Sequence, residues 1–308
     1  MNTQPLVSVF IPCYNHEKYI QDAIVSIVKQ TYKNIELIVI DDGSSDNSPK
    51  IINALSKEYH FYFEIQKNMG LIPTMNKLFS LCKGKYITGC ASDDMFMLDK
   101  IEKQVTFMEG NPDIGMCYGN VLLINDNNEI LTAPKQHFSK QEIIDFADII
   151  LFRCHIPTPT VMYRASIFNQ LGYYDSNFYP EDIYMWLKMT FAGVKIKRLN
   201  DLFGFYRFHE SNIHYNVFKM YEGTMKVLFQ YKDHPLFKSS IKKRRLHYFP
   251  FLAIYNKKEA LKIIISITNF NINFILGCIL LIVPSIISKN IIKFVTKHIY
   301  KEYSYLSQ

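Results

Sequence analysis

At 308 residues, with 48% hydrophobic and 20% charged residues, the chain is long and apolar enough to bury a sizeable core, which excludes an intrinsically disordered protein. Its six scattered cysteines contain no CxxC pair and its first residues lack the basic segment of a signal peptide, so we expect a cytoplasmic protein with reduced cysteines. The net charge of +7 is concentrated in residues 226–308, where 14 Lys and Arg face three acids, so an anionic partner is expected at this end of the chain.

The first 124 residues alternate between strand-like and helix-like patterns. Apolar, β-branched runs predict strands over residues 6–11, 35–40, 61–66, 86–90 and 114–124. Between these runs, apolar residues at helical spacing predict helices over residues 17–30, 49–59, 73–82 and 99–109. Alternation at these spacings predicts βαβ units with right-handed crossovers, and therefore a sheet that contains parallel strands.

The order is less regular from residue 125 onward. Polar residues at 125–128 predict a turn between two strand-like pieces. We expect an amphipathic helix over 139–153, a strand over 158–163, a helix over 181–192 and two strands over 194–199 and 202–208. A mixed sheet is therefore favoured over a purely parallel one.

Beyond residue 212 the pattern becomes helical, basic and rich in isoleucine. Residues 274–287 carry no charge, but they are too few for a helix that spans a bilayer, which needs about 20 apolar residues. Three lysines at helical spacing follow them, Lys289, Lys293 and Lys297. We therefore expect the apolar stretch 263–287 to lie at an anionic membrane surface, with a buried helical hairpin as the alternative.

Pairs of acidic residues stand at the ends of predicted elements. Asp41 and Asp42 follow the second strand, and Asp93 and Asp94 follow the fourth. Ligands of α/β proteins bind at the carboxyl edge of the sheet, and carboxylate oxygens there suit Mg²⁺ or Mn²⁺ bound to a diphosphate. One such pair alone is more often a turn or helix cap. No dinucleotide loop, P-loop or Cys/His metal cluster accompanies them.

Two early segments carry a recognisable pattern. Residues 7–17 read VSVFIPCYNHE, and residues 30–46 read QTYKNIELIVIDDGSSD. Both resemble the opening of the inverting glycosyltransferase family 2. The resemblance continues in order through three later segments, at residues 68–70, 91–94 and 181–182, and it fades beyond about residue 215.

The resemblance implies a GT-A fold, a Rossmann-like α/β architecture with a mixed, mainly parallel sheet between helices. It implies a catalytic domain over residues 1–215, with a nucleotide-sugar half over about 1–115 and an acceptor half over about 116–215. A helical, basic and apolar tail over 216–308 follows, and we expect this tail to associate with a membrane.

The resemblance also implies a nucleotide site. Pro12, Tyr14 and Glu17 occupy the turn that contacts the nucleobase in this family. Asp42 occupies the position that accepts a hydrogen bond from the base, which in uracil or thymine comes from the N3–H group. Asn68 belongs to the next loop on the nucleotide side.

The segment at residues 91–94 resembles the family's metal motif. Ala91 replaces the first aspartate of that motif, which leaves two carboxylates. Asp94 is the expected direct ligand of Mn²⁺ or Mg²⁺, and Asp93 is expected to contact the ribose or the metal. His209 resembles a late family histidine that can approach the metal. Two acids suffice, because Mg²⁺ keeps several waters and phosphate oxygens as ligands.

Glu181 and Asp182 resemble the family's pair in which the aspartate is the general base, with Glu181 in support. Their position at a helix start also fits a merely structural role, because carboxylates there interact favourably with the helix dipole. Trp186 lies one helical turn further on, where core packing is favoured over contact with a sugar.

These residues predict a metal-dependent inverting transfer from a UDP- or dTDP-sugar to a hydroxyl of a glycan or lipid-linked acceptor. The cytoplasmic face of an inner membrane and cell-surface polysaccharide synthesis suit the basic tail, and no nucleic acid partner is expected. A processive synthase is disfavoured, because no QxxRW motif is present. A nucleotidyltransferase and a catalytically idle nucleotide- or carbohydrate-binding protein are the alternatives; a Gly-rich basic first loop is missing for the former, and Ala91 supports the latter.

Overall fold

The computed structural model describes residues 4–132, 142–208, 217–266 and 272–282. The chain forms two compact units, which we call the sheet unit and the helical unit. The sheet unit comprises Met1–Asp145, Ile156–Asn177 and Lys188–His209. The helical unit comprises Phe146–His155, Phe178–Leu187 and Glu210–Gln308. The domain boundary near residue 215 stays a prediction.

The first half of the sheet unit follows the predicted alternation closely. Its strands are β1 (Val7–Cys13), β2 (Ile35–Asp41), β3 (Tyr62–Ile65), β4 (Tyr86–Gly89) and β5 (Met95–Phe96). Its helices are α1 (Ile20–Val28), α2 (Ser48–Tyr59), α3 (Leu71–Leu81) and α4 (Lys100–Gly110). Strand β1 pairs in parallel with β2 and β4, and β2 pairs in parallel with β3. The carboxyl ends of these four strands therefore share one edge of the sheet.

Further along the chain come β6 (Ile114–Ile124), β7 (Ile130–Thr132), β8 (Ile143–Ile144), α5 (Phe146–Ile150), β9 (Met162–Arg164), α6 (Ser166–Leu171), α7 (Glu181–Phe191) and β10 (Lys195–Arg207). The sheet order is β3-β2-β1-β4-β9-β6-β10-β5, with β7 on β6 and β8 on β10. Strand β9 runs antiparallel to both β4 and β6, whereas β10 is parallel to β6. The prediction of a mixed sheet between helices is confirmed.

Three local predictions were wrong in part. Of residues 142–153, the described part of the helix expected over 139–153, Ile143–Ile144 form strand β8 and Phe146–Ile150 are helical, because pairing with β10 overrides helix propensity. Thr158–Thr160 form a 3₁₀ turn instead of a strand, since Pro159 has no N–H for a ladder. The two strands expected over 194–208 are the single strand β10, which absorbs the polar interruption as shifts of register.

The core of the sheet unit follows from the apolar faces that the sequence places at period two and at helical spacing. Val9 and Ile11 of β1 are fully buried, as parallel strands covered on both faces require. Ile20, Ile24 and Ile27 of α1 lie in the same buried cluster. Burial of each such side chain contributes roughly 1.5–3 kcal/mol, so this cluster stabilises the edge that carries the acidic pairs.

The described part of the helical unit contains α5, the start of α7 and four later helices, α8 (Val217–Phe229), α9 (Phe237–Tyr255), α10 (Lys257–Ser266) and α11 (Ile272–Ile282). Phe249 of α9 is fully buried and packs against Phe274 of α11 at 5.5 Å between ring centroids. Gly277 permits this approach, because a Cβ there would lie 2.2 Å from the Phe249 ring.

Among the described helices, none combines the length and the apolar character needed to traverse a bilayer.

Candidate active site

The segment after β4, residues 91–94, forms a tight turn that we call the aspartate loop. The N–H of Asp94 donates to the carbonyl of Ala91 at 3.1 Å. The turn exposes Ala91 and buries Ser92, while Asp93 is half-buried and Asp94 is only 2% exposed. The two neighbouring carboxylates therefore differ in their access to water.

Arg207, the last residue of β10, holds this loop in place. Its backbone N–H donates to Oδ1 of Asp94 at 2.9 Å, and its Nε donates to the carbonyl of Asp93 at 2.8 Å. Its Nη1 donates to the carbonyl of Asn125 at 2.8 Å. No role for this arginine was predicted from the sequence, although a charged residue at the end of an apolar strand was a usable signal.

The electrostatics of the aspartate loop suit a cation. Burial raises the pKa of Asp94 well above its usual range and the charge of Asp93 raises it further, whereas Arg207 opposes the shift. A divalent cation would relieve this repulsion, and two carboxylates are enough for Mg²⁺ or Mn²⁺ with phosphate oxygens and waters. Among the residues that the structure describes, no group of three or more His, Cys, Asp or Glu forms a metal cluster. The predicted ligand His209 lies outside the described residues.

Asp42 follows β2 and is only 4% exposed. Its Oδ1 accepts hydrogen bonds from Nε2 of Gln66 and from the N–H of Met69, both at 2.8 Å. Its Oδ2 accepts one from the N–H of Gly70 at 2.9 Å. Because a carboxylate has about four acceptor directions, Oδ2 retains one beyond these contacts. Asn68, in the same loop, is exposed.

The neighbouring Asp41 serves a different loop. Its Oδ1 accepts the N–H of Ser44 at 2.8 Å, and its Oδ2 accepts the Ser44 hydroxyl at 2.7 Å. Asp41 is fully buried, so it shapes the turn that precedes α2. The two acids of this pair therefore bind different segments: Asp41 binds Ser44, whereas Asp42 binds the loop at residues 66–70.

Two of the three residues predicted for the turn after β1, Tyr14 and Glu17, follow that strand, whereas Pro12 lies within it. Pro12 ends up half-buried in β1, and Tyr14 is 50% exposed. Oε2 of Glu17 accepts the N–H and the side-chain amide of Asn47, each at 2.8 Å. The N–H of Glu17 donates to Oδ2 of Asp46 at 2.9 Å. Glu17 thus locks two loops together, while the Tyr14 ring is open to solvent.

His16 joins this turn to the aspartate loop, because its Nδ1 lies 2.7 Å from the hydroxyl of Ser92. The candidate nucleotide residues thus stand at the ends of four neighbouring strands, β1, β2, β3 and β4, and Asn68 is the one that follows β3. The structure brings those predicted residues of the sheet unit that it describes to one edge of the sheet. His16, Gln66 and Ser92 belong to this edge as well and were not singled out from the sequence.

Glu181 and Asp182 begin α7 within the helical unit. Oδ1 of Asp182 accepts the N–H of Ile183 at 2.6 Å. Burial and then the charge of Asp182 raise the pKa of Glu181 to about 7. Burial raises the pKa of Asp182 to about 6, and the backbone N–H groups together with Arg244 oppose that shift. The pair can therefore exchange a proton close to neutral pH, as a general base requires.

The aromatic residues beside this pair are packed. The rings of Phe178 and Tyr184 stack at 4.8 Å between centroids. Trp186 is buried, which agrees with core packing and not with an exposed platform for a sugar.

Sequence comparison places the chain among proteins that handle activated sugars. The family model described as "Glycosyl transferase family 2" matches residues 8–172. The chain is 31% identical over 268 residues to UDP-Glc:alpha-D-GlcNAc-diphosphoundecaprenol beta-1,3-glucosyltransferase WfgD of Escherichia coli, covering 83% of this chain and 95% of WfgD. It is 32% identical over 188 residues to an uncharacterized glycosyltransferase of Rickettsia prowazekii, where it spans 58% of the relative's length.

TarS and PcManGT are two of the solved structures that share the fold. TarS 1–349 of S. aureus, in complex with UDP-GlcNAc, has a TM-score of 0.64 at 18% identity, covering 85% of this chain and 79% of TarS 1–349. The mannosyltransferase PcManGT of Pyrobaculum calidifontis, in complex with GDP-Man and Mn²⁺, has a TM-score of 0.62 at 13% identity, covering 99% and 88%. At these identities the likeness concerns the fold alone, and it confirms the predicted GT-A architecture.

Proposed function

The chain belongs to glycosyl transferase family 2, and from this membership we propose that it transfers a sugar, with inversion, from a nucleotide-sugar to a hydroxyl of a glycan or lipid-linked acceptor. The observation that carries this proposal is the convergence of Asp42 and the aspartate loop on one sheet edge, beside the exposed Tyr14. Ligands of α/β folds bind at this kind of edge.

The donor is proposed to be a UDP-sugar, or a dTDP-sugar in second place. Asp42 has one acceptor direction beyond its three loop contacts, and uracil and thymine each offer one ring N–H. The exposed ring of Tyr14 offers a face on which a base can stack. The uridine nucleotides named for TarS and WfgD support this choice.

Asp94 and Asp93 are proposed to hold Mn²⁺ or Mg²⁺, and Asp93 is the residue that would also reach the ribose. When bound, such a cation neutralises the negative charge that develops on the departing diphosphate. The carboxylate pair supplies the negative charge for it, and Arg207 binds the loop at the Asp94 carboxylate and the Asp93 carbonyl. PcManGT, of the same fold, was solved with Mn²⁺.

Asp182 is proposed to be the general base, with Glu181 tuning its proton affinity. The acceptor oxygen bonds to the anomeric carbon as the bond from that carbon to the diphosphate oxygen breaks. The hydroxyl proton passes to Asp182, whose pKa of about 6 leaves it mostly ionised at neutral pH. Attack opposite the leaving group inverts the anomeric configuration.

A lipid-linked acceptor at the cytoplasmic face of an inner membrane is proposed, in the synthesis of a surface polysaccharide. WfgD carries such an acceptor in its name. Three apolar side chains of α10 and α11 are about half-exposed, Leu261, Ile275 and Ile279. Exposed Lys257 and Lys258 on α10 add positive charge, and this combination suits an anionic lipid surface.

The experiment pairs binding with turnover. Thermal melts with UDP-, dTDP- and GDP-sugars, each with and without Mn²⁺, should single out a UDP- or dTDP-sugar that stabilises the protein. Incubation of that donor with GlcNAc-diphosphoundecaprenol should then release the nucleoside diphosphate and yield a product of inverted anomeric configuration. Tight binding without transfer to any hydroxyl acceptor would favour an idle binding protein, and release of pyrophosphate from a nucleoside triphosphate would favour a nucleotidyltransferase.

A further inference from the structure

Arg207 is among the largest fully buried side chains of the described residues, at 1% exposed. Burying a guanidinium is costly unless its charge and its donors are matched. Here the carboxylate of Asp22 lies 3.8 Å from Nη2, and the guanidinium carbon lies 4.7 Å from the ring centre of Tyr19. The Asp22 carboxylate and the Tyr19 ring therefore stabilise the positive charge of the buried guanidinium. The hydrogen bonds of Arg207 indicate what the residue does at this position.

Two of its hydrogen bonds end on the aspartate loop. The backbone N–H of Arg207 reaches the carboxylate of Asp94, and Nε reaches the carbonyl of Asp93. Arg207 thus binds the side chain of Asp94 and the backbone of Asp93, two residues that lie more than 110 positions earlier in the chain. The backbone N–H holds the Asp94 carboxylate, and the guanidinium holds the main chain at Asp93. The direction in which the Asp93 carboxylate leaves that main chain, and so its spacing from Asp94, depends on where the guanidinium is held.

A third hydrogen bond joins Arg207 to the turn between β6 and β7. Nη1 donates to the carbonyl of Asn125, the first residue of that turn. The same turn is tied to the start of α1, because the Tyr19 hydroxyl donates to Oδ1 of Asp126 at 2.9 Å. Arg207 consequently lies at the meeting point of α1, the β6–β7 turn and the aspartate loop.

Arg164 shows what a structural arginine looks like in the same unit. It too donates to backbone carbonyls, those of Met108 at 3.1 Å and Ile114 at 3.2 Å. Its other contacts include the hydroxyl of Tyr86, and it is half-buried. None of its hydrogen bonds ends on the aspartate loop. Both arginines therefore donate hydrogen bonds to backbone carbonyls, and they differ in the segment that carries those carbonyls.

We propose that Arg207 is a positioning residue, whose guanidinium sets the spacing of the Asp93 and Asp94 carboxylates for a divalent cation bound with a nucleoside diphosphate. This inference rests on the proposed function, because it takes the aspartate loop as the metal site. Arg207 itself touches neither metal nor substrate in this scheme. Residues that orient metal ligands in this way typically change metal affinity by 10- to 100-fold when replaced.

The test compares Arg207→Lys with Arg164→Lys in the full chain. Lysine keeps the charge and the backbone N–H but loses the planar fork that reaches two carbonyls at once. Calorimetry measures UDP affinity with and without Mn²⁺, and melting temperature measures stability. Arg207→Lys should lower the Mn²⁺-dependent gain in UDP affinity about tenfold and leave metal-free UDP affinity unchanged. Arg164→Lys should lower the melting temperature and leave the gain intact.

If Arg207→Lys keeps the full Mn²⁺-dependent gain in UDP affinity, the proposal is overturned. It is also overturned if Arg164→Lys loses this gain to the same extent, because the loss would then follow from lower stability in general. A wild type without any Mn²⁺-dependent gain would remove the metal site on which the inference rests. Transfer activity in Mn²⁺-free buffer would then decide the proposed function separately.

If Arg207→Lys fails to fold, a second variant tests the proposal. Asp22→Asn removes the carboxylate charge beside the guanidinium and should lower the Mn²⁺-dependent gain in UDP affinity several-fold. No change in that gain would also overturn the proposal.

Discussion

The N–H of Gly70 donates to Oδ2 of Asp42 over 2.9 Å, which ties the end of the second strand to the start of the third helix. Gly70 adopts a φ of 87°, a backbone region that glycine enters without strain. Together with Gln66 and Met69, it makes Asp42 both the anchor of a loop and the acceptor proposed for a nucleobase. A substitution at Asp42 should therefore reveal both roles.

Asp42→Asn should weaken UDP binding about tenfold or more, because an amide N–H₂ would then face the donors of Gly70 and of the base. The same mismatch should lower the free energy of unfolding by about 1–3 kcal/mol. Calorimetry and urea titration measure the two effects. The control is Asp41→Asn, which loses the Ser44 contacts and a similar amount of stability but should keep UDP affinity. Equal UDP affinity in Asp42→Asn would contradict the assignment.

Asp94→Asn should abolish Mn²⁺-dependent binding of UDP and, at the same time, stabilise the metal-free protein by about 1 kcal/mol. The pKa of Asp94 is raised by burial and by Asp93, so its ionised form costs stability at neutral pH, and a neutral amide removes that cost. Asn also keeps an acceptor for the Arg207 N–H. Thermal melts and metal titration check both effects. Asp99→Asn, at a half-buried carboxylate that pairs with Lys103, is the control. Loss of stability in Asp94→Asn would contradict the electrostatic explanation.

Asp182→Asn should lower turnover at least 100-fold while leaving UDP-sugar affinity nearly intact, since a positioned base contributes about 10²–10⁴-fold. Glu181→Gln should have a smaller effect on turnover. In the wild type, activity should rise with pH through a midpoint near 6, because Asp182 must lose its proton before it can accept one. Initial rates across pH 5–8 measure this. Loss of donor binding in Asp182→Asn, or full activity at pH 5, would remove Asp182 from the base role.

Stability should fall as the pH rises from about 4 to about 7 through the contribution of Glu181. Its pKa in the folded protein is about 7, against about 4.3 in an unfolded chain, so the native state binds more protons in this interval. Above pH 7 the loss is complete and constant. Glu181→Gln should reduce the difference between melts at pH 5 and pH 8, by on the order of 2 kcal/mol. Glu222→Gln, at an exposed position of the same unit, serves as the control, and an identical change there would contradict the assignment.

Replacing Leu261, Ile275 and Ile279 by Ser should reduce co-sedimentation with anionic vesicles several-fold while the melting temperature changes little, because these side chains are about half-exposed. Binding should also weaken at high salt, since the exposed Lys257 and Lys258 of α10 contribute. The matched control replaces Ile65 and Leu98, two equally exposed apolar residues of the sheet unit, by Ser. Vesicle binding that survives the triple substitution would place the membrane contact elsewhere in the chain.

The aspartate loop shows how far sequence reasoning reached. The apolar run 86–90 correctly placed Asp93 and Asp94 behind a strand, because strand patterns are local and periodic. Nothing in that run indicated that Asp94 would be buried or that the carbonyl of Asp93 would accept a hydrogen bond from an arginine. Those features depend on β10, which joins the sheet more than 100 residues later. The error at residues 143–144 has the same origin, because pairing with β10 overrode the local helix preference. The 3₁₀ turn at Thr158–Thr160 has a local cause instead, since Pro159 lacks the N–H that a strand needs.

The sequence by itself determined the alternation of strands and helices, the acidic residues at the strand ends and the family pattern, since hydrophobic periodicity and turn chemistry act over a few residues. Only the tertiary structure decided which donors occupy each carboxylate: Gln66 and Gly70 on Asp42, and Arg207 on Asp94. Hydrogen bonds require partners within about 3 Å, and residues far apart in the chain reach that distance only when the sheet has assembled.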